Sequence, residues 1–147
     1  MKKRLMSMLS MAGMLGMIMI ASHTVDRAQV IDVIKVEIPF SFYVRDKQLP
    51  AGSYEIRRAG SQPGVMEVIN RTERMTVMFI TNDVQAKSLP NRSELIFTRY
   101  GEKDFLSEIF EGGSGIGVEL PKSRMERRIE RSGELAELHT VGFDRSS

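Results

Sequence analysis

From Ile34 the chain alternates. Ile34, Val36, Ile38, Phe40, Phe42 and Val44 are apolar, and Lys35, Glu37, Ser41 and Arg45 between them are polar. Only an extended strand places i, i+2 and i+4 on one face, so 34–44 is predicted as a strand with its even positions inward. Pro39 has no N–H to give to a ladder, so the strand lies at an edge there or is broken. Leu49-Pro50-Ala51-Gly52 predicts a turn, because proline presets φ and glycine accepts a positive one. Tyr54 and Ile56 then begin a second strand, with Glu55 and Arg57 on its other face. After a turn at 59–64 (AGSQPG), residues 65–70 and 75–81 predict two strands joined by a link of hairpin length. The run MTVMFIT within the second is apolar at both parities, which predicts a central strand buried on both faces. Residues 82–93 read as a loop. Residues 94–100 and 105–111 predict one more strand pair around Gly101-Glu102-Lys103-Asp104.

The period changes near the C-terminus. Ser123 and Glu126 have the S-x-x-E spacing of a capping box, with Pro121 just ahead. A helix over about 123–132 is predicted, ending at Ser132-Gly133. Its apolar stripe is only Met125 and Ile129, too narrow to hold an isolated helix. The stripe is expected to pack on the β structure, which Leu120 plugs. Residues 134–147 are expected either to add a last strand around 138–143 or to fray. The expected fold is therefore mainly β, an antiparallel β-sandwich or small barrel of six to eight strands with one short C-terminal helix. No 10–15-residue helical pattern separates the strands, which argues against a parallel α/β sheet.

A different kind of segment precedes this domain. Residues 1–4 read MKKR, and residues 5–21 carry no charge and are rich in Leu and Met. A basic cluster ahead of a short apolar run is the pattern of a signal-peptide helix. The expected organisation is a signal peptide and flexible joint over 1–28, then a single domain over 29–147. A cleaved leader implies export to the periplasm or the medium; an uncleaved one would be a membrane anchor. The leader also decides how the charge is read. Without Lys2, Lys3 and Arg4 the 21 bases fall to 18, against 19 acids. The exported part is not basic, so a nucleic-acid partner is not expected. With no Cys, disulfide scaffolds, thiol catalysis and thiolate metal sites are excluded.

No residue pattern names a reaction. The glycines at 112, 113, 115 and 117 are separated from the helix by Val118-Glu119-Leu120-Pro121, so they do not make a phosphate cradle and read as a hairpin or lid loop. The two histidines, His23 and His139, fall in ends expected to be mobile, which argues against a Ser/His/Asp triad. No catalytic, cofactor or metal residues are assigned, and no cofactor is expected. The basic segment 122–131 is interleaved with Glu126 and Glu130 and reads mainly as a solvated face.

The elements IPFSFYV (38–44), LPAGSYEIRR (49–58), LIFTRYG…FL (95–106) and ELPKSRMERR (119–128) resemble one family of small exported proteins of uncharacterised function, common in acidobacteria-type soil bacteria. The resemblance spans about 38–130 and implies export and a compact β fold with a C-terminal helix. Its most specific elements single out Arg99, Tyr100, Lys122, Ser123, Glu126 and Arg127. These are expected to form either a structural clamp, with Arg99 and Arg127 paired to Glu119 or Glu126, or a surface for an anionic partner. The expected function is a non-catalytic envelope or secreted binding or scaffolding module with an envelope or extracellular partner. The alternatives are a carboxylate- or Arg/Lys-dependent enzyme acting on a glycan, and a membrane-tethered accessory protein.

Overall fold

The computed structural model describes residues 33–144. The expected leader, its cleavage region and His23 lie outside the described residues. Two sheets and one short helix make up the described chain, which is mainly β and built as a sandwich.

The chain changes sheet three times. β1 (Val33–Ile38) starts the first sheet. Pro39, Phe40 and Ser41 interrupt the strand where Pro39 predicts a break, and β2 (Phe42–Val44) enters the second sheet. β2 turns through Arg45 and Asp46 into β3 (Lys47–Leu49). Pro50 and Ala51 carry the chain back to the first sheet as β4 (Gly52–Arg58), followed by β5 (Val65–Asn70) and β6 (Met75–Ile80). One residue, Thr81, then crosses to β7 (Asn82–Gln85). Thr81 is buried, and both its N–H and its hydroxyl donate to the Gly64 carbonyl, at 2.7 and 3.3 Å. The rest of the second sheet is β8 (Glu94–Tyr100), β9 (Lys103–Phe110), β10 (Ile116–Glu119) and, after the helix, β11 (Ala136–Gly142). The first sheet has the order β1-β4-β5-β6 and the second β11-β8-β9-β10-β7, with β2 and β3 attached at β9. All pairings are antiparallel except that of β2 with β9, which is parallel.

The even positions of β1 and β2 face the core as expected. Ile38, Phe42 and Val44 are fully buried, and Lys35 and Glu37 are exposed. Phe42 joins the sheets, its ring edge-on to Tyr54 of β4 at 5.0 Å and to Phe97 of β8 at 5.5 Å. Such pairs add about 0.5–1.5 kcal/mol each to what burial alone supplies.

β9 carries an irregularity that the rest of the second sheet follows. Ile96 pairs with Glu108 but Phe97 pairs with Leu106, so Ser107 is an extra residue, a β-bulge. The bulge lets both Leu106 and Ile109 face the core. Its own groups are satisfied sideways: the Ser107 hydroxyl donates to the Ile96 carbonyl at 2.9 Å, and the Ser107 carbonyl accepts from the Leu120 N–H at 2.8 Å. The bulge also divides the far edge of β9. β2 pairs with residues 104 and 105, and β10 with 108 and 109. Gly117 permits that close approach, since a Cβ there would sit 2.5 Å from the Ile109 carbonyl oxygen.

Three expectations are corrected. β6 is an edge strand rather than a central one, with Met78 and Ile80 exposed at 61% and 58%. Its chain leaves at once through Thr81, and among the described residues no strand pairs outside it. The expected loop at 82–93 begins with β7. His139 is not in a mobile end: it sits in β11, opposite Phe97. The glycine-rich segment closes the β9–β10 hairpin, one of the two readings expected of it, and Gly117 lies within β10. Of the two readings of the C-terminal stretch the strand holds, over Ala136–Gly142.

Replacing Ile38 with Asp would bury a lone charge between the sheets. The variant is expected to be unfolded by circular dichroism, while Lys35→Ala, on the solvent face of the same strand, shifts stability by less than about 0.5 kcal/mol.

Candidate functional site

The helix α1 (Arg124–Arg131) lies on the outer face of the second sheet. Ser123 is its N-cap, and its hydroxyl accepts from the Glu126 N–H at 3.1 Å, as the spacing predicts. The sequence pattern did not reveal a second cap. Asp46, in the turn between β2 and β3, accepts from the Met125 N–H at 3.1 Å. That N–H, with the Ser123 hydroxyl next, holds the Asp46 carboxyl below its ordinary range. Arg45 takes φ of +57° in that turn, a region non-glycine residues seldom occupy. The helix is thus fixed to the sheet through its N-terminus, where negative charge is favoured.

The stripe of Met125 and Ile129 is only half-buried; the residue the helix buries is Glu126, 5% exposed. Burial pushes its carboxyl above the ordinary range, against the Lys122 charge and the Ser123 N–H. Glu126 Oε1 has no hydrogen-bond partner among the described residues. Tyr100 lies under the same helix, 2% exposed, its hydroxyl likewise without a partner of normal geometry. Burial raises the Tyr100 hydroxyl, and the facing Lys122 ammonium opposes the rise. Phe105 packs edge-on against the Tyr100 ring at 6.1 Å and stacks on Tyr43 at 4.9 Å.

Beside Glu126 is a cleft of about 280 Å³. The bulge forms its floor with Ser107 and Glu108, β8 adds Thr98, and Glu119 and Lys122 line the side toward the helix. Glu108 and Glu119 are direct cross-strand partners, so two carboxylates face each other. Like charges directly opposite on one sheet face destabilise it. Burial first and Glu119 second hold Glu108 above the ordinary carboxylate range, partly offset by Lys87.

The two expected arginines go elsewhere. Arg99 pairs with Asp104 on the adjacent strand, Nη2 to Oδ2 at 3.2 Å, and not with Glu119 or Glu126. Asp104 is 1% exposed, and His139 Nδ1 lies 3.1 Å from its other oxygen, with the His139 ring stacked on Phe40 at 4.2 Å. Arg127 donates to the Lys122 carbonyl, and the Lys122 ammonium bonds the Glu130 carboxylate, which raises its pKa. The structure therefore gathers Tyr100, Lys122, Ser123 and Glu126 at the helix N-terminus, leaves Arg127 on its surface, and sends Arg99 to the core-facing side. Sequence reasoning missed the roles of Asp46, Asp104 and Glu108, and it expected Glu119 as an arginine partner where the structure sets it opposite Glu108.

No protein-family description, curated protein or solved structure matches this chain.

These contacts rank the substitutions. Arg99→Ala leaves the buried Asp104 carboxylate short of a partner and is expected to lose about 1–3 kcal/mol. Arg127→Ala, at an exposed site, changes stability by less than about 0.5 kcal/mol. Asp46→Ala and Ser123→Ala each lose about 0.5–2 kcal/mol, as caps do. Denaturant unfolding of the four variants checks the order.

Proposed function

We propose that the chain is an exported, non-catalytic envelope or secreted module that binds a small polar ligand in the cleft beside α1. The basic-then-apolar leader and the likeness to small exported proteins support export. One observation carries the binding reading: Glu126 is buried with Oε1 unpartnered at the wall of a cleft. A buried acceptor left open costs about 1–3 kcal/mol, which is a reason to look for a ligand that completes it.

A second reading, an enzyme using carboxylates on a glycan, is favoured by the facing pair Glu108 and Glu119, one of them with a raised pKa. A pair of carboxylates supplies the acid and the base of glycoside hydrolysis. Release of reducing sugar from envelope glycan, lost in Glu108→Gln, would favour the enzyme over the binding module.

The binding reading is tested with Glu126→Gln, which keeps the capping-box hydrogen bond but removes the charge. At neutral pH the variant is expected to melt at or above the wild type, as at sites held for function at the expense of stability. A clear drop would mean that the carboxylate serves the fold. The pH dependence has a fixed sign. A raised folded pKa gives stability that is complete below the unfolded value and lost as pH rises through the folded one. The wild type therefore gains on Glu126→Gln as the pH falls from neutral into the carboxylate range, read as the difference in Tm between the two. Cell fractionation tests export. A soluble envelope pool beginning near residues 22–29 supports it, an intact N-terminus in washed membranes supports the tether, and a cytoplasmic pool overturns both.

A further inference from the structure

The cleft's chemistry limits what can fill it. Its wall groups are acceptors: Glu108, Glu119 and Glu126 supply carboxylate oxygens, and Thr98 adds a hydroxyl. The Ser107 hydroxyl gives its proton to the Ile96 carbonyl, so its oxygen is free to accept. Among the described residues the one cationic side chain lining the cleft, Lys122, is already bonded to Glu130 outside it. Lys87 partly offsets the charge at Glu108. Two of the three carboxylates face each other across β9 and β10, and the third has a buried oxygen with no donor. An anion would meet repulsion here, and a neutral ligand would leave the facing carboxylates without a counter-charge. What is missing is a positive group with several N–H donors. The acidic side chains do not converge as the shell of a bare metal ion would require. The acceptors are spread along a cleft of about 280 Å³, which suits a donor carried on a small organic body.

We propose that the cleft binds the primary ammonium group of a small organic cation. The inference rests on the binding reading above and adds the ligand's charge and donor type. The ammonium donates to the carboxylates of Glu119 and Glu126, beside Glu108. The Thr98 and Ser107 hydroxyls meet the remainder of the ligand. Charge-assisted hydrogen bonds of this kind are the strong ones, and here they replace a like-charge contact. Two carriers share this chemistry, an amino sugar and an aliphatic diamine.

The test uses the purified protein at neutral pH and low salt, with amide signals followed by NMR. Glucosamine and 1,5-diaminopentane are each titrated in, with N-acetylglucosamine as the uncharged counterpart. Both amines are expected to move the Ser107, Glu108, Glu119 and Leu120 signals, and N-acetylglucosamine to leave them still. Glu119→Gln and Glu126→Gln are each expected to weaken amine binding by about tenfold or more, with the remaining signals unchanged. Tighter glucosamine binding identifies the amino sugar, and tighter diamine binding the aliphatic carrier. The proposal is overturned if neither amine moves these signals, or if both glutamine variants bind as the wild type does. If N-acetylglucosamine binds as well as glucosamine, the charge is not what is recognised: the inference fails and the binding reading stands. If nothing binds and Glu126→Gln also lowers the melting temperature, both fail.

Discussion

The second sheet is organised by the unpaired residue at Ser107. A regular β9 would place Leu106 and Glu108 on one face, because the side-chain period is two. The bulge resets that alternation between them. Leu106 and Ile109 go inward, while Ser107 and Glu108 go outward. The same residue ends the stretch that pairs with β2 and opens the stretch that pairs with β10. It then fastens the chain leading to the helix through the Leu120 N–H. Bulges are common where a sheet must re-aim side chains near a site. Here the re-aiming puts a hydroxyl and a carboxylate on a face that would otherwise be covered by apolar contacts.

The helix contributes little apolar area, and its attachment is polar. Ser123 caps it from within the chain and Asp46 from the hairpin below. Glu126 enters the interface in place of Met125 or Ile129. A helix held this way is positioned by hydrogen bonds at one end, and its last turn carries Arg128 and Arg131, which suit the negative pole of the helix. Lys122 bonds Glu130, and Arg127 and Arg131 donate to carbonyls of the same segment. The surface they leave beside the sheet is acidic, opposite to the anionic-partner surface that the run of Lys and Arg suggests in the sequence.

What the sequence revealed was local. Alternation from Ile34 to Val44 showed which side chains point inward, Pro39 marked the break, and Ser123 with Glu126 marked the helix start. These readings depend on neighbours within a few residues. Sheet membership does not. MTVMFIT reads as a doubly buried strand, yet whether a strand is central depends on what pairs beyond it, and β6 has nothing beyond it in its sheet. The bulge was hidden because FLSEIF scans as a strand without it. Asp46 reaches a helix 79 positions away and Asp104 meets a histidine 35 positions away. Either aspartate, alone in sequence, is an ordinary turn or strand residue. The candidate site was half legible: its helix side was in a recognisable element, and its sheet side was assembled by a register shift that composition does not announce.

The three crossings at Pro39, Pro50 and Thr81 have a consequence for how the molecule comes apart. Each sheet contains segments separated along the chain by segments of the other. The first sheet cannot release β1 without loosening β2, because only three residues join them. It cannot release β6 without moving Thr81 and therefore β7. β11 follows the last crossing and, among the described residues, pairs with β8 alone, so it can open without loosening any crossing. The rest forms one cooperative unit rather than two foldons, and its amides are expected to share a common protection against hydrogen exchange.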